Sequence, residues 1–260
     1  MRLNNKVAIV TGGGVGIGRA ISLAFASEGA AVVAAARTLP RLEAVADEIR
    51  SRGGRAIAIQ TDVSDENQVN KMVAQTLNEY GQVDILVNNS GITGPTINVA
   101  DIKLDDWNEV LTINLTGAML CAREVLKNMI ARQSGNIINI SSAAGTRGLP
   151  MRSPYCVSKW GIIGLTQTLA IEVGEYNIRV NCIAPGIVEG ERIKSVMKAR
   201  AEATGITYEE IASEMSADAA LKRMVTAAEI ASTAVFLASD ESSGITGQTI
   251  SVNAGRQLKA

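Results

Sequence analysis

The run Val7-Ala8-Ile9-Val10-Thr11-Gly12-Gly13-Gly14-Val15-Gly16-Ile17-Gly18-Arg19-Ala20 decides the fold. Four apolar residues uninterrupted by charge read as a strand covered on both faces. The glycines let the backbone turn sharply, and the residues from about Gly18 to Glu28 continue with helical spacing. A glycine loop between a strand and a helix N-terminus gathers backbone N–H groups and the positive end of a helix dipole, which suits a phosphate. The common G-x-G-x-x-G fingerprint fails here, because it would need glycine at Ile17 or at Val15. G-x-x-x-G-x-G fits, through Gly12, Gly16 and Gly18, with Gly14, Val15 and Ile17 filling the loop. We read it as a dinucleotide-binding turn, with a purely structural turn as the alternative.

Outward from this stretch the same alternation repeats. Short apolar runs at 31–35, 56–60, 85–87, 137–140, 180–183 and 248–252 are separated by helical stretches near 39–52, 66–80, 107–132, 153–175 and 229–237. Strict β–α alternation implies a parallel sheet with right-handed crossovers. The expected architecture is α/β: a doubly wound, Rossmann-type, mostly parallel seven-stranded sheet with helices on both faces. Residues 1–260 should form a single domain, since no proline- or serine-rich linker divides the chain. Ser153-Pro154 reads as a side-chain cap followed by a helix-opening proline. Thr226 to Glu229 reads as a capping box. Residues 191–224, rich in Glu, Lys, Arg and Ala, interrupt the pattern as a helical lid or a solvated hairpin.

Composition excludes several chemistries. The chain has no histidine, which removes Ser-His-Asp and Cys-His nucleophile systems and HExxH zinc sites. Proton chemistry must then use Tyr, Lys, Asp, Glu or Cys. A net charge of −1 and only 3% aromatic residues argue against nucleic-acid or anionic-membrane partners. Cys121, Cys156 and Cys182 form no CxxC pair and read as buried thiols of a reducing compartment, with no metal site expected. The apolar run starts too close to Met1 for a signal peptide, and no stretch is long enough to span a membrane. A cytoplasmic location is expected.

Two local patterns point to chemistry. The second strand ends Val32-Val33-Ala34-Ala35-Ala36-Arg37, with no acid to bond a ribose 2′-hydroxyl and a cation able to accept a 2′-phosphate. NADP(H) is therefore favoured over NAD(H). Tyr155 and Lys159, four apart on a helix, share one face. An ammonium beside a phenol favours the phenolate, allowing the tyrosine to exchange a proton near neutral pH.

The flanking residues extend these patterns along nearly the whole chain. Thr11 to Gly18, Asp62-Val63, Asn88-Asn89-Ser90-Gly91, Asn114, Ser141-Ser142, Tyr155-x-x-x-Lys159 and Pro185-Gly186 occur in order. On these motifs the chain resembles the short-chain dehydrogenase/reductase family. The resemblance implies that Tyr155 is the general acid or base and that Lys159 lowers its pKa while binding the nicotinamide ribose. It further implies that Ser142 bonds the substrate oxygen and that Asn114 holds a water linking Lys159 to solvent. Asp62 and Val63 would contact adenine, Asn89 the adenosine side, Gly91 the cofactor, and Pro185, Gly186 and Val188 the nicotinamide, while Asn88 braces the central strand. Three positions depart from the pattern: Ser90 for the usual alanine, Glu189-Gly190-Glu191 where relatives carry a threonine, and Asn253-Ala254-Gly255 for Asp-Gly-Gly.

The implied activity is hydride transfer between NADP(H) and a small secondary alcohol or carbonyl compound. Arg147, Arg152, Arg192 and Lys194 near the expected pocket suggest an anionic substrate, the alternative being cations on solvated faces or in subunit contacts. The competing readings are a 3-oxoacyl thioester reductase of fatty-acid synthesis and a non-catalytic dinucleotide-binding sensor. An isomerase or dehydratase would carry a larger C-terminal domain. The resemblance also suggests a homotetramer, packed through small and apolar residues such as Ala118, Met119, Ala122, Gly161, Gly164 and Leu165.

Overall fold

A computed structural model describes residues 1–256. Seven strands form one sheet: β1 (Val7–Thr11), β2 (Ala31–Ala36), β3 (Arg55–Gln60), β4 (Ile85–Asn88), β5 (Gly135–Ile140), β6 (Ile178–Pro185) and β7 (Thr249–Val252). Their order is β3-β2-β1-β4-β5-β6-β7, and every pairing is parallel. The helices are α1 (Gly16–Ser27), α2 (Leu39–Ser51), α3 (Glu66–Tyr80), α4 (Leu104–Leu111), α5 (Gly117–Arg132), α6 (Ser153–Val173), α7 (Glu191–Thr204), α8 (Tyr208–Ala217) and α9 (Ala227–Ala238).

Strand side chains alternate between two cores, as the two-residue period of a strand requires. Ala8, Val10, Val32, Val87 and Ile138 pack with Ile21 and Phe25 of α1, Ile49 of α2 and Ile230 of α9. Ile9, Val33, Leu86 and Ile137 pack on the opposite face with Met72 of α3, Val125 of α5 and Leu169 of α6. From β1 the chain winds outward to β3 and then returns to lay β4 against the other side of β1. That reversal opens a crevice at the carboxyl ends of β1 and β4, where α/β sheets place their ligands.

The structure corrects several local expectations. The helix expected from about Trp107 begins at Leu104, after the extended Lys103, and is interrupted by a π turn at Thr112–Thr116. Ser153 is not the cap of α6: Arg152 occupies that position, and the buried Ser153 hydroxyl finds no hydrogen-bond partner. Thr226 and Glu229 do form the expected capping box. Residues 191–224 hold two helices, α7 and α8, followed by turns. Ala118 and Ala122, expected on an outward packing face, are buried in the chain's own core. On α6 the outward apolar residues are instead Val157, Trp160 and Ile171. Among the described residues no helix is long and apolar enough to cross a membrane.

At the opposite edge of the sheet a buried carboxylate ties β1 to β4. Asp84 accepts bonds from Val7 N at 2.8 Å, Gln82 Nε2 at 2.7 Å and Arg132 Nη2 at 2.7 Å. Asp84→Ala should lower unfolding free energy by about 3 kcal/mol, the low end for a broken buried pair, because Arg132 stays partly solvated. Urea denaturation measures this, and a loss below about 1 kcal/mol would show that the tie is dispensable.

Candidate active site

The glycine loop is shaped by backbone geometry. Gly12 and Gly16 have φ of +64° and +54°, the left-handed region that disfavours other residues. Gly18 lies so close to the Gly12 carbonyl that a Cβ there would overlap the oxygen. Val15 precedes α1 in extended conformation and supplies no side-chain cap, and the first turn contains no acid. The first N–H groups of α1 therefore point out of the loop without side-chain acceptors, as a pyrophosphate cradle requires. Ile17, half-buried, packs beneath the loop against the α1-side core.

The ends of β1 and β4 are stitched together under this loop. The Thr11 hydroxyl accepts from Asn89 N at 3.0 Å and Ser90 N at 3.1 Å, and donates to the Val87 carbonyl at 3.2 Å. Asn89 Nδ2 donates to the carbonyls of Thr11 at 2.9 Å and Gly12 at 3.3 Å. Asn89 thus fixes the loop through its amide. Asn88 donates to the Ala118 carbonyl and to Asn139 Oδ1, the central bracing expected of it. Asp62 accepts from both the amide and the hydroxyl of Ser64. Val63 is buried where the α5 backbone comes close at Gly117.

Beyond β2, Arg37 is exposed, and its carbonyl accepts from Gln60 Nε2. The sequence reading missed Arg41, whose Cβ would lie 3.2 Å from a Cβ built on Gly14. Neither arginine forms an ion pair among the described residues. Arg41 therefore borders the glycine loop, and Arg37 stands exposed just past the end of β2. Only the fold brings Arg41, inside α2, against Gly14.

Ser142, Tyr155, Lys159 and Asn114 converge at the carboxyl ends of β4 and β5. Lys159 is buried; its Nζ donates to the Ile140 carbonyl at 2.8 Å and lies 5.9 Å from the Tyr155 ring centroid. The Ser141 hydroxyl donates to the Lys159 carbonyl at 2.7 Å, clamping α6 onto the end of β5. Ser142 Oγ accepts from Ala144 N at 3.1 Å, so it opens a short 3-10 turn and is held in place. Asn114 sits inside the π turn. Its Oδ1 accepts from Ile92 N at 2.7 Å, and its Nδ2 donates to the Ile92 carbonyl at 2.9 Å and to Ser158 Oγ at 3.0 Å. Ser158 in turn donates to the Tyr155 carbonyl at 2.8 Å. Gly91 faces this cluster: a Cβ there would be 3.0 Å from Asn114 Oδ1 and 3.6 Å from Lys159 Nζ.

Ser141, Ser158 and Thr11 are further residues that the motifs did not assign. Cys182 also lies near Lys159, but burial pushes its thiol up to about 11, leaving it protonated and inert at neutral pH. Burial alone pushes Cys121 up to about 12.

Three loops carry the residues expected beside the substrate and the nicotinamide. Arg152 Nη1 donates to Thr96 Oγ1 at 2.8 Å, and its Cζ lies 5.6 Å from the Tyr155 ring centroid. Pro185 pairs with Val252, and Gly186 N donates to the Val252 carbonyl at 2.9 Å. A Cβ on Gly186 would lie 2.7 Å from Asn253 Cα. Val188 bridges Val225, while Glu189 N and Val225 N donate to the carbonyls of Val225 and Ile187. Both ends of the 191–224 segment are thereby pinned together. Lys194 pairs with Glu191 at 2.7 Å on an exposed face and does not point to the pocket chemistry. The Arg192 side chain lies outside the described residues.

A glycine cradle at the switch point, next to a tyrosine, a lysine and a serine, defines a dinucleotide-dependent alcohol or carbonyl oxidoreductase. A family model described as short chain dehydrogenase matches residues 6–201. The chain is 38% identical to the 3-oxoacyl-[acyl-carrier-protein] reductase of Staphylococcus epidermidis, over 98% of this chain and all of that one. An NAD+-bound xylitol dehydrogenase superposes with a TM-score of 0.95 at 33% identity, covering 98% of this chain and 100% of that one. An actinorhodin polyketide ketoreductase with NADPH gives 0.94 at 32% identity, covering 98% of each chain. The chain belongs to the short-chain dehydrogenase family. It is an oxidoreductase of carbonyl and alcohol groups that works with a nicotinamide dinucleotide, NAD(H) or NADP(H).

Gly18→Ala should force Gly12 and α1 apart. An overpacking cost of about 1–3 kcal/mol placed on the cradle predicts roughly 10- to 100-fold weaker dinucleotide binding. Titration of reduced nicotinamide fluorescence tests this, and unchanged affinity would show that α1 can shift without loss.

Proposed function

We propose that this chain transfers a hydride between NADP(H) and a small, polar secondary alcohol or ketone, with an anionic substrate favoured. The observation that carries this reading is the convergence of Ser142, Tyr155 and Lys159 beside the glycine cradle. When bound, the dinucleotide supplies or accepts the hydride.

The protein's own residues do the rest. Tyr155 donates its phenolic proton to the carbonyl oxygen in reduction and removes the hydroxyl proton in oxidation. Lys159, held by the Ile140 carbonyl, places a positive charge near the Tyr155 ring and presents its ammonium to the nicotinamide ribose hydroxyls. Ser142 donates to the same substrate oxygen, sharing the charge that develops there. Asn114 holds the relay water through its main-chain carbonyl, since its side chain is committed to Ile92 and Ser158. Gly91, lacking a side chain, leaves room for that water beside Lys159. Asp62 and Val63 line the adenine side, with Asn89 holding the loop, and Pro185, Gly186 and Val188 line the nicotinamide side.

NADP(H) is favoured because Arg41 stands beside Gly14 and Arg37 follows β2, neither in an ion pair among the described residues, with no acid at the end of β2. A second substrate reading, reduction of 3-oxoacyl thioesters, draws support from what the Staphylococcus epidermidis relative is named for. Three free, buried cysteines fit a reducing, cytoplasmic setting. The exposed Val157, Trp160 and Ile171 on α6 support assembly into a homotetramer.

Oxidation of NADPH and NADH against ketones, oxo acids and oxoacyl thioesters tests the chemistry. Tyr155→Phe should cut kcat by roughly 100- to 10,000-fold. A variant with both Arg37 and Arg41 changed to Gln should lose on the order of 10-fold in its preference for NADPH over NADH, through KM. A fully active Tyr155→Phe enzyme would remove Tyr155 from the mechanism, and an unshifted cofactor ratio would remove the two arginines. Sedimentation should give four chains per particle; a monomer would overturn the assembly.

A further inference from the structure

The stretch Met151-Arg152-Ser153-Pro154 leads into the helix that carries Tyr155, and local rules fail along it. Met151 has φ of +61°, the left-handed region that disfavours a residue with a side chain. Arg152 occupies the N-cap of α6, where a side-chain acceptor is preferred and a guanidinium supplies only donors. Its charge also opposes the positive end of the helix dipole. Ser153, of the type that caps, is already helical, and its buried hydroxyl has no hydrogen-bond partner. Local rules broken together beside a reacting group mark a stretch held by tertiary contacts for function.

Those contacts run to the loop after β4. Arg152 Nη1 donates to Thr96 Oγ1 at 2.8 Å, and the Met151 carbonyl accepts from Ile97 N at 3.0 Å. Two consecutive residues before α6 are thereby joined to two consecutive residues of the loop. The base of the same loop is held where Asn114 bonds both the N–H and the carbonyl of Ile92. Between these ties Gly94, with φ of +63°, comes so close to α4 that a Cβ would lie 2.5 Å from Val110 Cγ2. The same Cβ would lie 3.9 Å from Pro154 Cγ, in the first turn of α6.

The guanidinium that holds Thr96 also reaches the phenol ring. Arg152 Cζ lies 5.6 Å from the Tyr155 ring centroid, and Lys159 Nζ lies 5.9 Å from it. Positions 152, 155 and 159 are three and four apart, so they follow one stripe of the helix. A guanidinium is attracted to an aromatic ring by the ring quadrupole, and its several N–H groups can bond elsewhere at the same time. Tyr155 is only partly buried, so apolar packing does not fix its ring on every side.

We infer that Arg152 is a positioning residue for Tyr155, joining its ring through Thr96 to the loop after β4. A substrate seated against that loop then meets a phenol already aimed at its oxygen. The inference rests on the proposed oxidoreductase reading and adds a residue to that site.

The test uses whichever of methyl acetoacetate, acetoin and cyclohexanone the wild-type chain reduces fastest, since none carries a charge for Arg152 to bind. If the chain reduces only oxo acids, the same variants are measured with the best of those. Arg152→Met should lower kcat roughly 10- to 100-fold, the cost of a reacting group out of place, with dinucleotide affinity unchanged by fluorescence. Arg152→Lys, which keeps a cation and a donor, should recover part of that loss. Thr96→Val, which leaves the guanidinium and removes its acceptor, should lower kcat/KM about 3- to 10-fold. The double variant Thr96→Val with Arg152→Met should be no worse than Arg152→Met alone, because the two residues act through one contact. Arg152→Lys and Thr96→Val carry the test if Arg152→Met fails to fold. An unchanged kcat in the Arg152 variants, or a wild-type rate in Thr96→Val, overturns the inference and leaves the oxidoreductase reading standing. Losses that add in the double variant, or that come with equally weakened dinucleotide binding, overturn it in favour of a general structural role. A rise confined to KM for an oxo acid overturns it in favour of a ligand for the substrate's charge. Absence of turnover by the wild-type chain with any ketone, oxo acid or oxoacyl thioester defeats the underlying reading instead.

Discussion

Because Gly18 has no side chain, the first turn of α1 can lie against the carbonyl of Gly12. That contact fixes where α1 begins relative to the end of β1, and with it where the helix N–H groups point. Thr11 and Asn89 then lock the end of β4 to the same turn through five hydrogen bonds with Val87, Ser90, Gly12 and each other. The two strands at the topological switch point thus act as one rigid edge. Ser90 and Gly91 continue directly from it toward Lys159. A half-ångström slip at the glycine loop would be transmitted to the catalytic side of the crevice, because no flexible joint lies between them.

The catalytic side is built on the same plan, with main-chain atoms fixing side chains. Ile140 and Ser141 at the end of β5 hold Lys159 by its amine and by its own carbonyl. The π turn at Thr112–Thr116 brings Asn114 inward, where it grips Ile92 and Ser158. A π turn is rarely tolerated inside a helix unless the surrounding contacts hold it. Here the gripped partners are the loop after β4 and the helix that carries Tyr155. The distortion is therefore a joint between three elements. It places the polar side chains of Asn114 and Ser158 in a region otherwise packed with apolar side chains.

How much of this could be read from the sequence depended on whether the controlling interaction was local. The glycine spacing at Gly12, Gly16 and Gly18 and the four-residue step from Tyr155 to Lys159 are local, and the structure places both at the crevice. The capping box at Thr226 is local as well. Ser153 was misread because serine before proline is a strong cap signal, whereas the loop from Ser142 positions Arg152 as the last non-helical residue. The break within 104–132 left no trace because apolar periodicity runs through a π turn almost undisturbed. Arg41 beside Gly14 and Ser158 beneath Asn114 are products of tertiary packing. No spacing rule connects residues 44 positions apart.

This division also explains where the chain can specialise. The sheet, the glycine loop and the clamp on Lys159 are bound by buried main-chain hydrogen bonds, so substitutions there disturb cofactor and proton chemistry together. The 191–224 segment is joined to that frame by the Val188–Val225 bridge and by Leu221 N donating to the Ala254 carbonyl, and is held over it by buried side chains, Met197 and Ile211 among them. Its outer face is paired charge, as in Glu191 with Lys194. A segment so attached can change sequence, and even helix register, at little cost to the fold. Arg200 and Arg223 of that segment are paired with Glu214 and Glu229, within the segment and on α9. The most constrained part of the molecule is therefore the frame that carries the glycine loop and Lys159, and the least constrained is the segment attached to it.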